Sequence, residues 1–94
     1  NLDKTETLDL SRRVEAQADC FSGMYFQSVQ RSIGLTKEQL DMITEYRRLV
    51  GSDELMGHPD DPNVVTTHPH GRSRVYWFQT GLTSQNIGAC NTFT

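Results

Sequence analysis

Leu10, Val14, Ala18, Phe21, Tyr25, Val29 and Ile33 recur at steps of three or four residues. Spacing of that kind lays one amphipathic stripe along a helix and fits no strand, whose side chains alternate every two residues. A large share of the 94 residues is thereby committed to one long helix, and Gly34 stops it. A second start follows at once. Thr36 with Gln39 forms a capping box, and Leu35 with Leu40 flanks it as a hydrophobic staple. Leu40, Ile43, Tyr46 and Val50 then carry a second apolar face that ends at Gly51.

Gly51 to Thr67 is rich in Gly, Asp and Pro and reads as an irregular surface loop, with a short extended piece at Val64-Val65. A third helix fits Arg72 to Thr80, with Val75, Phe78 and Leu82 on one side and Gly81 as its stop. The tail from Thr83 to Thr94 has no periodicity and needs Cys90 to pin it. The expected fold is mainly α: one small domain over residues 1–94, with about three helices and long irregular loops. Asn1 stands where a Met would open a gene product, so the chain reads as a piece of something longer.

Nine Lys and Arg against twelve Asp and Glu leave a charge of -3 and a pI near 5.5. That balance excludes a nucleic-acid partner, which needs a basic stripe to displace counterions from phosphate. No apolar run approaches the roughly 20 residues a membrane helix requires. At 35% hydrophobic residues the core is small and calls for a staple. Cys20 and Cys90 would supply one worth about 4 kcal/mol if bridged, which suits an oxidising compartment. Two buried free thiols are the other possibility, and composition does not separate them.

Three clusters could carry chemistry. Glu15 and Asp19, four apart, point the same way from a helix, at the edge of the apolar stripe. Like charges so placed cost a few tenths of a kcal/mol, which metal ligation with a supporting carboxylate would offset. Arg12, three residues before Glu15, offers plain surface neutralisation instead. In Thr67-His68-Pro69-His70-Gly71-Arg72-Ser73-Arg74, His68 stands at the mouth of the third helix with Arg74 on its first turns. Both could donate to an oxyanion. His58, Asp60, Asp61, His68 and His70 could instead gather a metal, though without tight ligand spacing, and a solvated loop is the simpler account. In the aromatic run Tyr76-Trp77-Phe78, Phe78 shares a face with Val75 and core packing explains it, with a substrate-binding role for Trp77 as the lesser reading. CxxC, a phosphate loop, GxSxG and HExxH are all missing.

Four blocks, in order, resemble the C-terminal half of the putative neutral zinc metallopeptidase family of bacteria. They are Arg13-Val14-Glu15-Ala16-Gln17-Ala18-Asp19-Cys20-Phe21-Ser22-Gly23, Gly51-Ser52-Asp53-Glu54-Leu55, Thr67-His68 with Arg74-Val75-Tyr76-Trp77-Phe78 and Gly81, and Cys90-Asn91-Thr92-Phe93. His68-Pro69 followed by Arg74 also resembles the His-Pro-x-x-x-x-Arg element of integral-membrane prenyl-protein and heat-shock metalloproteases. Ser73 and Pro69 depart from the family's usual Gln and Gly, and Ala16 stands where a larger apolar residue is common.

The resemblance implies the C-terminal part of a zincin-type protease domain. An upstream HExxH helix would bring two zinc-binding histidines and a general base. Glu15 would be the third zinc ligand, and Asp19 would hold a histidine ligand in orientation. His68 would stabilise the oxyanion with Arg74 beside it, and Cys20 and Cys90 would form a disulfide. It further implies zinc in the complete protein but none held by this chain alone. The partners would be the upstream half of the same polypeptide and a peptide or protein substrate. The expected setting is extracytoplasmic, with a parent that can be membrane-anchored. The competing expectation is a non-catalytic helical interaction domain or pseudo-protease remnant.

Overall fold

The computed structural model describes residues 3–50 and 70–93. Helix α1 covers Lys4–Ile33, α2 covers Lys37–Leu49, α3 covers Gly71–Thr83, and a 3-10 turn spans Ile87–Cys90. No strand occurs among the described residues. The loop from Gly51 to Thr67, its extended piece at Val64-Val65, and His58, Asp60, Asp61 and His68 lie outside them.

Local chemistry sets the helix ends. The Asp3 carboxylate accepts from the Glu6 backbone N–H at 2.8 Å and caps α1, which therefore starts six residues before the apolar stripe. Gly34 closes α1 in the left-handed conformation, at φ 70°, which a side chain would strain. The capping box forms reciprocally. Thr36 Oγ1 accepts from Gln39 N at 3.1 Å, and Thr36 N donates to Gln39 Oε1 at 2.9 Å.

Helix α3 packs against both α1 and α2. Its contact with α1 is built from small residues. Ala16, Cys20 and Gly23 form the buried face of α1, and Phe78 and Gly81 face them from α3. A Cβ at Gly23 would strike Phe78 O and come to 2.8 Å from Leu82 N. One at Gly81 would strike Cys20 O and come to 2.9 Å from Met24 N. The two backbones nearly touch at this crossing.

That crossing corrects two expectations. Gly81 does not end the third helix, which continues to Thr83; its missing side chain admits α1. The stripe Leu10, Val14, Ala18, Phe21, Tyr25 and Ile33 does not face the core but is exposed. Small residues let α3 approach closely, so the packed side of α1 is the one a hydrophobicity pattern ranks low.

The tail is held as expected, by Cys20–Cys90, with Cα atoms 5.5 Å apart across a separation of 70 residues. Polar side chains of α1 add to it. Arg13 Nη1 donates to Thr92 O at 2.7 Å while Thr92 Oγ1 donates to Arg13 O at 2.6 Å. Gln17 Nε2 donates to Cys90 O at 3.2 Å, and Gln27 Nε2 to Leu82 O and Ser84 O at 2.7 and 2.9 Å. Reducing the bridge is expected to remove about 4 kcal/mol, read as a lower urea midpoint in the presence of a thiol reductant. An unmoved midpoint would assign the tail to these hydrogen bonds alone.

Candidate active-site carboxylates and their arginine clamp

Asp19 is the centre of the described site. It is 1% exposed, and its carboxylate receives two guanidinium groups. Arg74 from α3 binds it side-on, with Nε to Oδ2 and Nη2 to Oδ1, both at 3.0 Å. Arg47 from the last turn of α2 places Nη1 3.0 Å from Oδ1, donates through Nη2 to Ser22 Oγ, and lies over the Phe78 ring with Cζ 4.9 Å from its centroid. Arg74 Nη1 also reaches Val50 O at 3.4 Å. One carboxylate thus ties three helices together, in the bidentate geometry that makes such bonds strong. Among the described residues no buried side-chain nitrogen or oxygen lacks a partner.

Asp19 shares its one negative charge between two guanidinium groups, and burial weakens solvent screening there. Glu15 lies one turn before Asp19 on the same side and is half-buried. An apolar cleft of about 560 Å³ opens beside the clamp, lined by Phe26, Met42, Ile43, Tyr46 and Val50 together with Arg47 and Arg74.

The structure brings Asp19 and Arg74 together, though they are 55 residues apart in sequence. Asp19 there meets two arginines; the histidine that the resemblance implied for it belongs to residues outside this sequence. His70 precedes the first residue of α3, and its carbonyl accepts from Arg74 N at 3.0 Å. His68 lies outside the described residues, and so does its distance to Glu15 or Arg74. Among the described residues no three His, Cys, Asp or Glu side chains converge as a metal site would need.

Arg47 and Ser22 were missed from the sequence, but a signal for them existed. Counting back from Ile33 and forward from Lys37 across the short turn brings Ser22 and Arg47 level. A long side chain can then span the gap between the two helices.

A disulfide-closed helical unit, with an acidic helix face clamped by two arginines, is the class that fold and site define. Within that class, the profile of the putative neutral zinc metallopeptidase family matches residues 1–93, and the chain belongs to that family. The YpfJ protein of Escherichia coli (strain K12), itself uncharacterized, is 34% identical over 95 residues, covering 99% of this chain and 33% of its own length. YpfJ of Escherichia coli O6:H1 (strain CFT073) matches to the same extent. The chain therefore spans about a third of the length of these relatives. No solved structure matches.

Proposed function

We propose that the chain is the C-terminal portion of a zinc-dependent metallopeptidase and supplies one side of its active site. The observation that carries this reading is the family match across residues 1–93. Glu15 is the residue that would ligate zinc, and it suits the task as a half-buried carboxylate on a rigid helix. A catalytic zinc needs three protein ligands, and bound zinc supplies an activated water for peptide hydrolysis. The sequence contains no HExxH, so the other two ligands belong to the rest of the polypeptide, and these 94 residues alone would be inactive.

The chain's own residues have separate tasks in this reading. Asp19 fixes Arg74 in place through two hydrogen bonds. Arg74, 20% exposed, would stand beside the negative charge that develops on a peptide carbonyl oxygen. His68, six residues before Arg74, would donate to that oxygen directly. The Cys20–Cys90 bridge supports an extracytoplasmic setting, in a parent that can carry a membrane anchor. Among the described residues no helix is long and apolar enough to cross a membrane.

The alternative, a non-catalytic extracytoplasmic interaction domain, draws its support from the apolar outer side of α1. Metal content separates the two. The complete polypeptide should bind zinc and cleave peptide substrates, and Glu15→Gln should weaken zinc binding at least tenfold. Equal zinc occupancy in wild type and variant would defeat the ligand assignment, and a zinc-free wild type would favour the interaction domain.

A further inference from the structure

Helix α1 is amphipathic the wrong way round for a free-standing domain. Between Leu10 and Gln30 its exposed residues are Leu10, Val14, Ala18, Phe21, Tyr25, Ser28 and Gln30. All are uncharged and five are apolar. Its charged residues over the same stretch, Arg12, Arg13, Glu15 and Asp19, are half-buried or buried. Leu10, Val14, Phe21 and Tyr25 stay 40%, 56%, 42% and 65% exposed. Together they present on the order of 400 Å² of apolar surface, as large as the biggest patch on a typical monomer.

We propose that this exposed, apolar side of α1 is the seat for the remainder of the same polypeptide, corresponding to the two thirds of the YpfJ relatives' length that these residues do not span. The inference rests on the reading of the chain as one portion of a longer protein. One observation and one physical argument select this occupant over a second copy. The relatives are about three times as long as the chain, so a covalently attached partner of sufficient size exists in the family. A tether also favours an attached partner over a free one, because joining the two parts raises their effective concentration. The occupant must be largely apolar where it meets Phe21 and Tyr25, because the exposed residues of α1 between Leu10 and Gln30 offer no opposite charge. Glu15 sits beside the patch, so the same docking would bring further ligands toward it.

Hydroxyl-radical footprinting of the complete, unmodified polypeptide tests this without a substitution. The rate of Tyr25 oxidation is compared between native and urea-unfolded protein, with Tyr46 and Tyr76 read alongside. These are 66% and 59% exposed, much as Tyr25 is. Docking predicts at least tenfold protection of Tyr25, with Phe21 protected in parallel. Protection of less than twofold overturns it. Protection that disappears on hundredfold dilution also overturns it and assigns the patch to a second copy. Zinc content of the same sample keeps the two readings apart: zinc-free protein with Tyr25 protected retains the docking and loses the metallopeptidase. Zinc-loaded protein with Tyr25 reactive does the reverse.

Discussion

Asp19→Ala is expected to destabilise the domain by about 3–5 kcal/mol, the range for removing one partner of a buried ion pair. The wild-type carboxylate is 1% exposed and neutralises part of the charge on Arg47 and Arg74. Without it, two guanidinium groups at 22% and 20% exposure lose the carboxylate they share. A domain of this size has roughly 5–14 kcal/mol of total stability, so the loss is a large share of it. Urea unfolding followed by circular dichroism measures the cost. Asp19→Asn separates charge from shape, because the amide oxygen still accepts from one arginine. Its midpoint should fall between wild type and Asp19→Ala. Arg47→Ala and Arg74→Ala should each cost less, and their combination more than the sum, because either single loss relieves repulsion between the two arginines and leaves Asp19 one partner, whereas the double loss strands a buried carboxylate. A midpoint within experimental error for Asp19→Ala would show that the clamp contributes nothing net.

The second large effect is Gly81→Ala. In an ordinary helix interior this change stabilises by about 1 kcal/mol. Here the new methyl meets the Cys20 carbonyl and the Met24 amide, both backbone, so no side chain can move aside. Helices α1 and α3 must separate, at a typical cost of 1–3 kcal/mol for overpacking and more where backbone is met. The net change should be about 3 kcal/mol destabilising, which lowers Tm by about 12–24 °C in a domain this small. Gly23→Ala addresses the same crossing from the other helix and should behave alike. An exposed change on α3, Gln79→Ala, should leave Tm nearly unmoved. A Gly81→Ala variant as stable as wild type would mean that the crossing is looser than described.

What the sequence reveals here depends on how local the cause is. Thr36, Gln39 and Gly34 act within a turn of themselves, so the start of α2 and the end of α1 follow from a few residues. The Cys20–Cys90 pairing came through resemblance, since two cysteines alone leave both states open. Gly81 misled because glycine has two uses, ending a helix or admitting a neighbour, and only the neighbour decides. The α1 stripe misled for a related reason. Periodicity marks a side that wants covering, without saying whether the cover lies in the same 94 residues. Glu15, Asp19 and Arg74 were visible as candidates, but Arg47 joins Asp19 from 28 residues away, through a side chain rather than a pattern.

The packing order has a consequence in time. Helix α3 is the helix that α1 and α2 share, yet it comes last of the three along the chain. During synthesis Asp19 and Gly23 emerge well before Arg74 and Gly81 exist to receive them. At translation rates of 5–20 residues per second the delay is on the order of several seconds. Through that interval Asp19 lacks Arg74, and Gly23 lacks the helix that packs on it. Arg47 can reach Asp19 once α2 has been made, but the three helices close around that carboxylate only after α3 follows.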